Sequence, residues 1–236
     1  MEAKILDNNP IELENAKDIE SNTYNEDYFE RGVQKKVSGY QNYSWLPELT
    51  IKMAHHLIQK LPIESKDRVL DFGCAKGFLV KALRLLDIDA YGVDVSDYAI
   101  NRSDPEVRGL CRLISGVNDP KCFDRKYDWL VSKDVFEHLT ENELKILLCN
   151  AQKSVNKIFC AIPLGKPCAT GFIISEYDRD ITHVTKQPLE WWMALFEKNG
   201  WNIDSVNYSF QGVKDNWTAV EPCGNAFFIL SRNRSL

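Results

Sequence analysis

A short apolar run ends in a glycine-punctuated turn and reopens as an amphipathic helix, and this feature constrains the chain more than any other. Arg68 to Leu70 leads into Asp71-Phe72-Gly73-Cys74-Ala75-Lys76-Gly77, and Phe78 to Leu86 follows with a helical apolar pattern. Strand, turn and helix form the unit with which an α/β protein brings backbone close to a cofactor. Gly73 and Gly77 lack a Cβ, so the chain turns sharply and a ligand reaches the main chain. The unpaired N–H groups that open the next helix favour an anionic or polar ligand group. A second short strand, Ala90-Tyr91-Gly92-Val93, ends in Asp94, placed to accept hydrogen bonds from ribose hydroxyls.

The rest of the chain repeats this grammar. Strands are expected at 67–72, 89–94, 110–115, 127–132 and 155–162, with helices at 77–86, 96–103 and 141–152. Such alternation argues for a parallel sheet with right-handed crossovers. A long loop, 163–185, precedes a helix from Pro188 to Lys198 that Asn199-Gly200 stops. Strands at about 201–210 and 224–231 close the chain as a hairpin-like pair. The fold class is therefore α/β, with seven strands in a mostly parallel sheet and helices on both faces. Before it, Pro47 to Leu61 reads as a helix with Ile51, Ala54, Ile58 and Leu61 on one face. Residues 1–22 are acidic and aperiodic and read as a flexible tail; 23–62 read as a helical or lid-like segment; 63–236 form the main domain. Tyr24, Tyr28, Phe29, Tyr40, Tyr43 and Trp45 crowd the second of these. Such side chains want one end buried and the other bonded, which suits a lid and a packed N-terminal helix equally.

Composition narrows the function classes. Residues 1–30 carry nine carboxylates against two lysines, leaving the remainder close to neutral. No dense basic surface is expected, which argues against a nucleic-acid partner. No apolar run approaches a membrane span, and no secretory signal pattern opens the sequence. Seven scattered cysteines without a C-x-x-C pair read as reduced thiols, consistent with the cytoplasm. Oligomeric state is not readable.

In an open α/β sheet, ligands bind beyond the carboxyl ends of the strands. The D-x-G-C-x-x-G turn, Asp94 at the second strand end and Glu137-His138-Leu139 after the fourth strand resemble the class I S-adenosylmethionine (SAM)-dependent methyltransferases. The resemblance implies a Rossmann-like methyltransferase sheet with SAM as cofactor. It places Asp71, Gly73 and Gly77 at the amino-acid end of SAM and Asp94 at the ribose, and adds Cys74, Ala75 and Val95 to the cofactor set. Val117-Asn118 would meet the adenine, although relatives often have an acid where Val117 stands, and Lys133 joins this cofactor set. Ala75 replaces the family's middle glycine.

A narrower resemblance rests on Glu26-Asp27-Tyr28-Phe29-Glu30-Arg31-Gly32, Ser38-Gly39-Tyr40 and Thr182-His183-Val184 followed by Trp191-Trp192. These look like methyltransferases of sugar and polysaccharide biosynthesis. It implies O-methylation of a sugar hydroxyl on a glycan, nucleotide sugar or glycosylated metabolite, with Tyr28, Arg31, Tyr40, Tyr43 and Asp180 on the acceptor side. A small-molecule or lipid-head-group N/O-methyltransferase and a non-catalytic SAM-binding partner protein are the alternatives.

A hydroxyl acceptor must lose a proton, and histidine suits this near neutral pH. Of the four histidines, His55 and His56 precede the first strand, whereas His138 and His183 lie on loops at the ligand edge. His183 is the expected base and His138 the fallback. Asp134, Glu137 and His138 would also suit a magnesium ion. The preferred reading of that stretch is a cap for the following helix, since Thr140 and Glu143 fit a capping box.

Overall fold

The structure is a computed structural model and describes residues 21–233. Its elements are, in order, α1 (Glu26–Glu30), α2 (Gly32–Lys35), α3 (Pro47–Lys60), β1 (Arg68–Phe72), α4 (Phe78–Leu85), β2 (Asp89–Asp94), α5 (Asp97–Asn101), β3 (Cys111–Leu113), β4 (Tyr127–Lys133), α6 (Glu141–Gln152), β5 (Val155–Pro163), α7 (Leu189–Lys198), β6 (Trp201–Asn207), α8 (Asp215–Val220) and β7 (Asn225–Arg232). Of the expected acidic tail, residues 1–20 lie outside the described residues.

One seven-stranded sheet runs in the order β3-β2-β1-β4-β5-β7-β6. β1 to β5 pair in parallel, and β7 slots antiparallel between β5 and β6. Parallel strands are covered on both faces and read as near-continuous apolar runs. Side chains alternate across the sheet. Val69, Trp129 and Phe159 pack against Leu57 of α3 and Val80 and Leu83 of α4. Leu70, Leu130 and Ile158 pack on the other face against Leu144 and Leu147 of α6 and Trp192 and Phe196 of α7. The capping box forms as expected: Thr140 Oγ1 accepts from the Glu143 amide, and Glu143 Oε2 accepts from the Thr140 amide at 2.8 Å. No helix among the described residues is long and apolar enough to cross a membrane.

Two local departures matter for the site. β3 stops at Leu113, because the chain turns away at Gly116 (φ 148°) and delivers Ile114 to Val117 to the ligand edge. Between β6 and β7 the chain does not form a simple hairpin. It crosses the sheet edge through α8, entered at Lys214 in a left-handed conformation (φ 59°).

The cofactor turn seats directly on β2. A Cβ on Gly92 would meet Cys74 Sγ at 2.6 Å and Val80 Cγ2 at 3.0 Å. Gly92→Ala should therefore destabilise the protein by about 1–3 kcal/mol through overpacking. Urea denaturation checks this; an unchanged midpoint and slope would show that the turn has room to shift.

Candidate cofactor and acceptor site

The turn after β1 takes the left-handed conformation at Gly73 (φ 84°), Ala75 (φ 47°) and Gly77 (φ 76°). A side chain in that region costs roughly 1–2 kcal/mol, so Ala75 is held there by its surroundings. The Ala75 amide donates to Asp94 Oδ2 at 2.7 Å, and the Ser96 amide donates to Asp94 Oδ1 at 2.7 Å. The Gly73 and Cys74 amides both donate to the Val93 carbonyl. The turn is thus fastened to the end of β2 by three N–H groups, those of Gly73, Cys74 and Ala75. Burial raises the pKa of Asp94, and these amides partly oppose it. Burial and the neighbouring Asp94 push Asp71 up to about 7, against the pull of Lys133. Native Asp71 keeps a proton that the unfolded chain has released, so its contribution to stability declines as pH rises from about 4 to about 7.

Beside this turn lies a cavity of about 420 Å³, within the usual range of small-molecule sites. Gly73, Asp94 and Val95 line it from the ends of β1 and β2; Ile114 to Val117 from the end of β3; Asp134, Val135 and His138 from the end of β4. Tyr24, Tyr28, Phe29 and Tyr40 supply an aromatic wall. The N-terminal segment is therefore a packed element and a cover at once. Its anchors run to the cofactor turn and its neighbour: Lys76 Nζ donates to Glu30 Oε1 at 2.5 Å and to the Tyr43 carbonyl at 2.7 Å, and Ser96 Oγ donates to the Tyr24 carbonyl at 2.5 Å. The anchoring roles of Lys76, Glu30 and Ser96 were not legible in the sequence, because they depend on contacts distant in the chain. Burial raises the phenol pKa values of Tyr24, Tyr28 and Tyr40, so these hydroxyls act as donors and not as bases.

Of the expected site residues, Gly73, Asp94, Val95, Val117, Tyr28, Tyr40, Asp134 and His138 line the cavity. Others do not. Cys74 packs under Gly92, and Gly77 sits against Cys111 and Val107. Asp71 is buried behind the turn, Ala75 contributes through its amide, and Asn118 is exposed beyond Val117. Lys133 turns to Asp134, with Nζ 2.5 Å from Oδ2. Arg31 faces solvent, paired with Asp27 at 2.6 Å and Glu26 at 3.2 Å. Tyr43 packs on Phe78, and Asp180 is a buried acceptor for Tyr28 Oη at 2.9 Å and for the Thr182 amide at 2.9 Å.

The histidines divide in the same way. His138 lines the cavity, with Nδ1 2.8 Å from Thr182 Oγ1. Thr182 Oγ1 itself donates to Asp180 Oδ1 at 2.5 Å. Its remaining role toward His138 is acceptor, which places the proton on Nδ1 and leaves Nε2 basic. Burial and His183 push the His138 pKa down to about 4. His183 lies behind it, ring centroids 4.5 Å apart, and is absent from the cavity lining. Its Nδ1 sits 2.7 Å from the Tyr177 carbonyl, which fixes the proton there. Of the two expected candidates for the acceptor-side base, His138 faces the cavity in this structure and His183 stands behind it. Of the Asp134-Glu137-His138 set considered for a cation, Asp134 is committed elsewhere. Asp134 pairs with Lys133 and Lys214, and these cations outweigh burial and hold its carboxyl well below the usual range. Lys214 comes from the crossing before α8, which the sequence pattern left undefined.

The methyltransferase-domain family profile matches residues 48–206. The chain belongs to the methyltransferase family. Among solved structures it resembles a SAM-dependent methyltransferase from Clostridium acetobutylicum ATCC 824 (TM-score 0.59, 13% identity, 77% of this chain and 91% of that one). It also resembles one from Archaeoglobus fulgidus (TM-score 0.58, 18% identity, 79% and 97%). A third is the putative methyltransferase in a complex with the Haloferax volcanii Trm112 methyltransferase activator (TM-score 0.59, 15% identity, 80% and 92%). At these identities the likeness is one of fold. No curated protein matches the chain.

The cofactor of this methyltransferase is SAM, and the cavity fits it. Gly73 presents bare backbone, Asp94 keeps free lone pairs beside its two amide bonds, and Val95, Ile114 and Val117 offer an apolar slot. Asp94→Ala should weaken SAM binding by about 1–3 kcal/mol, the scale of hydrogen bonds to a charged group. Calorimetry on the folded variant checks this; unchanged affinity would remove Asp94 from the cofactor site.

Proposed function

We propose that this methyltransferase methylates a hydroxyl oxygen of a sugar-containing acceptor: a glycan, nucleotide sugar or glycosylated metabolite. The observation that carries the oxygen assignment is His138, whose unprotonated Nε2 belongs to the one imidazole lining the cavity among the described residues. SAM supplies an electrophilic methyl group whose transfer is an in-line displacement. The protein's task is to hold the acceptor oxygen about 3 Å from that carbon and receive its proton. The Thr182–Asp180 pair fixes the His138 tautomer for this role. The depressed basicity of His138 keeps it neutral and ready at physiological pH.

The aromatic wall supports the acceptor class. Tyr24, Tyr28 and Tyr40 line the cavity, and an aromatic wall suits the C–H faces of a sugar. All seven cysteines are free thiols, consistent with a reducing compartment such as the cytoplasm.

Product masses from a panel of nucleotide sugars and glycans, each incubated with SAM, test the acceptor. A gain of one methyl on a hydroxyl is expected, and methylation confined to amines would overturn the reading. His138→Asn should lower turnover by roughly 10²–10⁴-fold while SAM affinity stays nearly intact. Turnover near that of the native enzyme would remove His138 from the chemistry.

A further inference from the structure

Behind the cavity wall, Glu137 is fully buried, and neither of its carboxylate oxygens has a hydrogen-bond partner. An ionisable group left so deep without a partner is costly. The contrast with Asp134 three residues earlier is sharp, since that carboxylate takes both available lysines. What faces Glu137 is imidazole. His183 Nε2 lies 3.9 Å from Glu137 Oε1, and the His138 ring is next to that of His183. One ligand atom from each of Glu137, His138 and His183 falls within 4.8 Å of the others.

We propose that Glu137, His138 and His183 form a binding site for a divalent transition-metal cation. The outer contacts are those a metal-binding histidine uses. Each Nδ1 is pinned by an oxygen, His183 by the Tyr177 carbonyl and His138 by Thr182 Oγ1, and each Nε2 is left as the lone-pair atom. Thr182 is oriented in turn by Asp180. The Glu137 main chain is held in place: its carbonyl accepts the amides of Val184 and Thr185, which ties the His183 loop to the segment after β4. Two imidazoles and one carboxylate suit zinc, manganese, iron(II) or cobalt. Magnesium prefers an all-oxygen shell, so the magnesium expected from the sequence does not suit this set.

The site deepens the O-methylation reading, because His138 belongs to both. With a cation on this nitrogen, His138 would serve as a metal ligand and no longer as the base; the cation would lower the hydroxyl's pKa, and the proton would pass to solvent water. Cation binding is measurable without acceptor or SAM, so the two readings fail separately.

The test is titration of the chelator-treated full chain with Co²⁺, followed by visible absorption. One equivalent should bind and give ligand-field bands without the intense near-ultraviolet thiolate-to-cobalt band, which would instead report exposed Cys149, Cys168 or Cys223. Glu137→Gln and His183→Gln should each weaken uptake at least tenfold, the lower end of what disturbing a metal shell costs. Proton NMR of the native Co²⁺-loaded protein gives the same answer without any substitution. Two strongly shifted imidazole N–H signals are expected, one from each Nδ1–H. No uptake, uptake with the thiolate band alone, or uptake with no shifted imidazole signals would overturn the site. If uptake fails while His138→Asn still abolishes turnover, the imidazole itself is the base. If uptake holds while no hydroxyl acceptor is methylated, the cation site stands and the acceptor reading falls.

Discussion

Two backbone amides converge on the carboxylate of Asp94, and the ligand edge of this protein is organised around that contact. One amide belongs to Ala75, in the middle of the glycine turn; the other belongs to Ser96, at the start of α5. The first fastens the β1–α4 turn to β2. The second lets Ser96 cap α5, accepting from the Ala99 amide, while its hydroxyl donates to the Tyr24 carbonyl. A single buried acid therefore holds the cofactor turn, starts a helix and, one residue removed, anchors the aromatic cover. The cost of burying it is offset by N–H groups that would otherwise lack partners in a sharp turn.

The second organising feature is the uneven distribution of charge at the end of β4. Asp134 is half-buried at the cavity edge and Glu137 fully buried, yet Lys133 and Lys214 neutralise only the first. That asymmetry separates the carboxylates chemically. Asp134 stays ionised and structural, joining β4 to the β6–β7 crossing. Glu137 is pushed toward its protonated form by burial and by Asp134, and faces two imidazoles. His138 connects this buried cluster to the cavity, so the cavity wall is coupled to how the 173–187 loop packs.

Much of this was legible in the sequence, because the elements that carry it are local. Strand runs, the glycine turn, the Thr140–Glu143 capping box and Asp94 at a strand end are each set by neighbours within a few residues. The parallel direction of β1 to β5 follows from alternation of strand and helix, whereas the strand order, with β7 antiparallel between β5 and β6, does not. What was not legible depends on long-range contact. His183 has the residue type and loop position of a base, but whether such a loop folds inward depends on Phe172, Tyr177 and Glu137, which no periodicity reports. Arg31 looked like a substrate ligand until Asp27, one helical turn away, claimed it. Lys214 was invisible because the crossing between β6 and β7 carries little apolar pattern. The aromatic segment is open to two descriptions from sequence, and the fold shows it packed, with Tyr24, Tyr28, Phe29 and Tyr40 on the cavity wall.

The central claim is that SAM binds at the strand edge beneath that aromatic segment, between the Asp94-held turn and Tyr24 to Tyr43. Amide hydrogen exchange with and without SAM tests it most directly, since residues 22–45 and 114–118 report on the cover and the third-strand turn separately. Ligand binding should slow exchange in both stretches, with the larger change in the cover, whose α1 and α2 are short and lie at the chain's exposed margin. Exchange unchanged in both stretches at saturating SAM would contradict the account and place the cofactor elsewhere.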